Sequence, residues 1–266
     1  MALAAEKTGV KVHAFCWLSN HAHWIVSDPD SRLPEFMQLM LSLVARTLNA
    51  SYGRWENLWE GGGSSYSAVR LESPESALAK LIYVLANPVD AGLVRHAHDW
   101  PGLWSAPRDM IADPLTVVRP SIFFRKEDDG GALPLEASLR LERLPGFDHL
   151  SDDQLRALIQ ERFAAREAEI HQEFKTQGRS FVGRKGVLAC KPTDSPDTKE
   201  QRRGLDPRIA EPDPDLRKLA LCRLLDFWAD YRVAWLRLRA HAAGVVFPRG
   251  TYHLRRFLGV ACADTA

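Results

Sequence analysis

The sequence predicts an α+β fold, and three observations carry that reading. Two short runs rich in aromatic and β-branched residues, KVHAFCWL (11–18) and HAHWIV (21–26), flank a tight Ser19-Asn20 turn and read as a β-hairpin. Apolar residues at helical spacing from Leu33 to Tyr52, and again after Ser73, supply helices behind it. The 266 residues are 45% hydrophobic and 26% charged, ordinary for a globular chain. That composition excludes wholesale disorder and a collagen-like fibre.

Element by element, the first helix places Leu33, Phe36, Met37, Met40, Leu41, Val44 and Leu48 on one side, and Gly53 stops it. A bend at Gly61-Gly62-Gly63 leads into a strand near 65–71. Ser73 then caps a helix whose first position is Pro74, both favoured placements. Its apolar stripe is Leu78, Leu81, Ile82 and Leu85, and it is expected to end at Asn87-Pro88, because proline disfavours helical geometry in the residue before it. Residues 108–150 are mixed and turn-rich. Ser151 and Gln154 form a capping box that opens a helix to about Phe174. From Thr176 to Pro214 the chain, including KPTDSPDTKEQRRG, reads as an extended linker. The last long helix covers about 215–243, with Leu221, Leu224, Leu225, Trp228, Tyr231, Trp235 and Leu238 on one face and Gly244 at its end. Three regions result: 1–107, 108–215 and 216–266.

The formal net charge is +1, which gives no global preference for a partner. It divides unevenly: residues 1–107 carry −2 and residues 216–266 carry +6. A basic tail interleaved with Trp228, Tyr231, Trp235, Tyr252 and Phe257 suits nucleic acid, or equally a helix with a solvated basic face. The four cysteines (Cys16, Cys190, Cys222, Cys262) are scattered with no CxxC pair, so a reduced cytoplasmic compartment and structural burial are expected. No run approaches 18 apolar residues and the first fifteen residues lack a leader-like stretch, so no membrane partner is expected.

Two constellations could carry chemistry. In His21-Ala22-His23, alternation along a strand puts both imidazoles on one face, about 6–7 Å apart at Cα, where they can share a divalent ion. HxH triplets also arise by chance. His96-Ala97-His98 has the same spacing within a loop-like stretch holding Asp99, Trp100 and Pro101. Tyr83 and Asn87 are one helical turn apart and opposite the apolar stripe, with Lys80 on the same polar side. That arrangement suits a site, or a surface tyrosine followed by a helix-stop asparagine. No GxSxG elbow, GxxxxGK[ST] phosphate loop or GxGxxG is present.

In their order, VHAFCWLSNHAHWIV (12–26), NASYGRWENLWEGG (49–62) and LIYVLANPVDAGLV (81–94) resemble the motifs of the IS200-like, REP-associated single-tyrosine transposases of the HUH superfamily. The likeness covers about residues 10–105, and FPRGTYHLRRF (247–257) is similar to the tail of longer members. It implies a ferredoxin-like antiparallel sheet with helices, abbreviated at its N-terminus, and a mostly helical C-terminal extension. It also implies His21 and His23 as metal ligands, Asn87 as the polar ligand completing the site, and Tyr83 as nucleophile. The cofactor implied is Mg²⁺ or Mn²⁺, and the partner is single-stranded or hairpin DNA. The site could be assembled within one chain or across a homodimer. Basic residues assigned to DNA are Arg54, Lys80, Arg249, Arg255 and Arg256.

Three features depart from the family pattern. Only twenty residues precede His21, where relatives have a further strand and helix, so an uncovered sheet edge is expected. Gly61-Gly62-Gly63 and Asp90 replace basic positions, which lowers the expected DNA affinity. The alternatives are a non-cutting DNA-hairpin-binding relative, and a phosphodiesterase that uses water instead of tyrosine.

Overall fold

The computed structural model describes residues 1–59, 66–120, 133–191, 194 and 208–263. In chain order its elements are α1 (Ala2–Thr8), β1 (Lys11–Trp17), β2 (Ala22–Ser27), α2 (Leu33–Tyr52), β3 (Arg70–Leu71), α3 (Pro74–Asp90), β4 (Leu115–Val118) and β5 (Glu136–Leu139). They are followed by α4 (Asp152–Thr176), α5 (Gly183–Ala189), β6 (Ile209–Ala210), α6 (Pro214–Arg239), β7 (Val246–Phe247), α7 (Tyr252–Leu258) and β8 (Ala261–Cys262). The fold is mixed α and β with small sheets. Among the described residues the strands form four two-stranded sheets, β1–β2 and β4–β5 antiparallel, β3–β6 and β7–β8 parallel.

The β1–β2 hairpin forms where the aromatic and β-branched runs predict it. Its register runs from Trp17 opposite Ala22 to Lys11 opposite Ser27, with one shift between Val12 and Ala14. The residue at that shift, His13, is buried. Its Nδ1–H donates to the carbonyl of Glu142 at 2.9 Å, because a carbonyl can only accept. Nε2 therefore accepts from the Ser27 hydroxyl at 2.7 Å. The expected uncovered edge is not found: later chain closes the outer side of β1. Trp17 N donates to Leu103 O at 2.8 Å, Ser105 N to Phe15 O at 3.0 Å, and Glu142 N to Val12 O at 2.7 Å. The buried Ser105 hydroxyl adds a bond from Phe15 N at 2.9 Å.

Helix α3 lies between the hairpin and α4, packing against β1, β2 and α4. From Leu81 to Val89 every residue is buried except Tyr83, so the helix is not amphipathic there but enclosed on nearly all sides. It also runs through Pro88 to Asp90 instead of stopping at Asn87. Pro88 and Val89 are both buried, and the Trp104 indole donates to the Leu85 carbonyl at 2.9 Å. Tertiary packing thus outweighs the local cost of an internal proline. One buried cluster draws on Phe36, Met40, Leu81 and Leu85 together with Leu155, Ile159, Phe163 and Ile170, joining residues on both sides of position 107.

Other expectations are corrected. Helix α1, unread in the sequence, ends at Gly9 with φ 73°, a conformation glycine adopts at little cost. The stretch from Thr176 is not all linker: α5 lies within it, and Val182 N and Gly183 N donate to the carbonyls of Gly92 and Leu93, each at 2.9 Å. Gly61–Gly63 and most of KPTDSPDTKEQRRG lie outside the described residues. In α6 only Ala220 and Ala234 are buried, while Leu221, Leu225 and Trp228 are exposed. Cys16 is buried, but Cys190 and Cys222 are exposed. Asp90 pairs with Arg166 of α4 at 3.0 Å, which gives it a role in joining two helices. Among the described residues no helix is long and apolar enough to cross a membrane.

Candidate functional site

The site is built at the turn of the hairpin and on the adjoining stretch of α3. His21 lies one residue before β2, and its carbonyl accepts from Leu18 N at 2.8 Å, closing the turn. Its Nδ1–H donates to Asn20 Oδ1 at 2.7 Å. An amide oxygen can only accept, so this bond fixes the ring proton on Nδ1 and puts the lone pair on Nε2. His23 is on β2 opposite the buried Cys16, on the face turned toward α3. The Cys16 thiol is pushed up to about 12 by burial and takes no part in chemistry near neutral pH.

Three of the expected side chains come together. The His21 and His23 rings lie 4.9 Å apart between centroids, and His23 and Tyr83 lie 5.5 Å apart, each pair edge to face. Tyr83 is 43% exposed, so a strand can approach it from solvent. The Lys80 ammonium stands 5.5 Å from the centre of the Tyr83 ring, a cation–π arrangement. Lys80 thus lies beside Tyr83, on the polar side of the helix where the sequence places it.

Asn87, one turn beyond Tyr83, is 4% exposed, not on a solvent face. Its Oδ1 is buried and has no hydrogen-bond partner, and the same is true of Nε2 of His23. Such orphaned atoms are uncommon in folded proteins and call for an explanation. Both are metal-ligating types, one imidazole nitrogen and one amide oxygen. Burial, followed by the neighbouring His21, lowers the pKa of His23 below the ordinary value of 6.5, so its ring stays neutral and able to ligate at neutral pH. Among the described residues no three His, Cys, Asp or Glu side chains converge as a metal group. Imidazole and carboxamide are donor types that suit Mn²⁺ better than Mg²⁺, because imidazole favours the softer ion.

The remaining assigned residues do not join this site. Arg54 is exposed and pairs with Glu56 at 3.2 Å. Arg249 donates to the Pro29 carbonyl, beyond the far end of β2 from His23. Arg256 donates to Gln38 of α2 at 3.1 Å, and Arg255 beside it is exposed. These contacts tie the basic tail to the start of α2. Residues that sequence reasoning missed include Asn20 as the partner orienting His21, and Ser105 and Glu142 as closers of the sheet. Asn20 was legible from its place beside His21; the other two lie some 90 and 129 positions from their partners. His96 and His98, the second HxH pair, stack at 5.3 Å and border Glu167 and Asp99, on a 3₁₀ turn away from Tyr83.

No family model, curated protein or solved structure matches the chain.

Proposed function

We propose that the protein is a divalent-metal-dependent transesterase of single-stranded or hairpin DNA, with Tyr83 as nucleophile, in line with the transposase resemblance. The proposal includes a ferredoxin-like HUH core whose hairpin supplies His21 and His23 and whose α3 supplies Tyr83 and Asn87, working in the cytoplasm as one chain or as a homodimer. The observation that carries it is the pair of orphaned buried atoms, His23 Nε2 and Asn87 Oδ1, with the Tyr83 ring packed against His23.

His21 Nε2, His23 Nε2 and Asn87 Oδ1 would hold the ion. When bound, it would withdraw charge from the scissile phosphate. The residues of the chain itself do the rest. Tyr83 Oη forms a bond to phosphorus, the P–O3′ bond breaks, and the products are a 5′-phosphotyrosine and a 3′-hydroxyl that takes up a proton. The phenol gives its proton to solvent at the exposed edge of the ring. Phenol is a weak nucleophile near neutral pH, about 0.1% ionised at an ordinary pKa near 10. The Lys80 cation over the ring face favours the negative charge that develops as the proton leaves. Placing Tyr83 and Asn87 one turn apart on a helix enclosed by packing fixes the nucleophile relative to the ligand.

Incubating the protein with hairpin single-stranded DNA and Mn²⁺ should give a covalent adduct that resists denaturation. Tyr83→Phe should abolish it. An adduct that persists in Tyr83→Phe assigns the attack to another residue. Cleavage without adduct in that variant assigns it to water.

A further inference from the structure

Helix α6 has two unlike faces. Ala220 and Ala234 are buried, and between them Tyr231 packs on the wholly buried Phe247 of β7 at 5.6 Å between ring centres. At 100° per residue the opposite side carries Leu221, Leu225, Trp228, Val233 and Leu236, each between 46% and 68% exposed. The described residues leave that side open to solvent. Five large apolar side chains on one open side differ from the ordinary scatter of single exposed hydrophobics. With about half or more of each side chain open, they offer roughly 600 Å² of apolar surface, at the top of the range for a monomer's largest patch.

We infer that this side of α6 is the contact between two copies of the protein, packed antiparallel about a twofold axis. A twofold contact uses the same patch twice, so it buries about 1,200 Å² in total, the lower end of what a specific pair needs. Nucleic acid suits the patch less, because its four aliphatic side chains offer a base neither a stacking ring nor a hydrogen bond. A bilayer suits it less too: Arg232 stands within the stripe, and arginine is at home in protein interfaces but costly to sink in lipid. Spacing supports a helix pair. Cys222, Leu225, Ala229, Arg232, Leu236 and Arg239 follow at alternating steps of three and four, the heptad rhythm of paired helices. Cys222 and Ala229 are exposed and small, and lie two turns apart, so two helices can approach closely there. Charge sets the orientation. Parallel copies would bring Arg232 against Arg232 and Arg239 against Arg239. Antiparallel copies part them, and bring Asp215 in the first turn toward Arg237 and Arg239 in the last turn of the second copy. The contact depends on neither Tyr83 nor a metal ion.

The test is sedimentation equilibrium of the full-length protein in reducing buffer. The parent should exchange between one chain of 29.9 kDa and a pair, with a Kd on the order of 10 µM. Leu225→Gln and Ala229→Glu should each weaken the pair at least about tenfold, since every substitution enters a twofold contact twice. Leu188→Gln, the same change at an exposed leucine of α5, should pair as the parent does. Well below the Kd, Leu225→Gln should unfold in urea at the parent's midpoint, which separates a lost contact from a lost fold. After oxidation with diamide no Cys222–Cys222 disulfide should form, because antiparallel helices hold these positions about 20 Å apart. A parent that stays a single chain at about twenty times that Kd overturns the inference. Quenching by dT12 or by anionic vesicles that Trp228→Phe removes would then name the occupant instead. Pairing that both variants keep within about twofold, or a Cys222–Cys222 disulfide, overturns it as well.

Discussion

Asn87 keeps a carboxamide oxygen in the interior with no donor to meet it. A buried acceptor left without a partner costs about 1–3 kcal/mol, so its removal should help an ion-free protein. Asn87→Leu is therefore expected to leave stability in EDTA unchanged or raised by about 1 kcal/mol, read from urea unfolding. The same variant should lose the rise in melting temperature that Mn²⁺ gives the parent. A second residue-scale prediction concerns His13. Burial lowers its folded pKa below 6.5, partly offset by its bond to the Glu142 carbonyl. Between the folded value and 6.5 the unfolded chain binds the extra proton, so stability is full above about 6.5 and is lost as pH falls below it. His23 acts in the same direction. The urea midpoint should drop between pH 7 and pH 5, and His13→Gln should make that drop shallower. At this scale the sequence was most legible where a residue type and its spacing define a chemistry, as in His21, His23 and Tyr83. It could not separate His13 from them, because the role of His13 comes from Glu142, 129 residues away.

The helix signals that proved reliable were caps. Ser73 accepts from Ser76 N at 3.1 Å, and Ser151 accepts from Gln154 N at 3.2 Å, as short-range spacing predicts. The stop at Pro88 failed because neighbours outside the helix surround α3. One of them, Trp104, should be measurable: Trp104→Phe keeps most of the packing but removes the donor to the Leu85 carbonyl, at an expected cost of about 1 kcal/mol. Helix α6 forms where its periodicity places it, Pro214–Arg239, but most of its shared apolar face is not covered. Its leucine and tryptophan pattern reads as a core stripe, yet Leu225 is 68% exposed while Leu81 on α3 is 1% exposed. Leu81→Ala should cost about 2–5 kcal/mol, and Leu225→Gln less than about 0.5 kcal/mol, in the same urea assay. Periodicity reports which residues share a face, not whether anything covers that face.

Across the whole molecule, the decisive features are joins between distant segments. Residues 103–105 and 141–142 close the outer edge of β1, so no open edge is left there. The sequence showed a hairpin and a tyrosine helix but not that α4 and the 141–142 segment would hold them together, since such pairings carry no local signal. Charge behaves similarly: the basic tail is tied through Arg249 and Arg256 to the segment around α2, while Arg70 beside α3 and Arg223 of α6 meet at Glu72.

The joint site of His21, His23, Asn87 and Tyr83 is tested most directly by titrating Mn²⁺ into the protein and following the free-ion signal by electron paramagnetic resonance. The parent should take up one ion per chain. His21→Ala and His23→Ala should abolish that uptake, Asn87→Leu should weaken it by about tenfold or more, and Tyr83→Phe should leave it intact. Equal Mn²⁺ uptake by the parent and by the His23→Ala and Asn87→Leu variants would contradict the account.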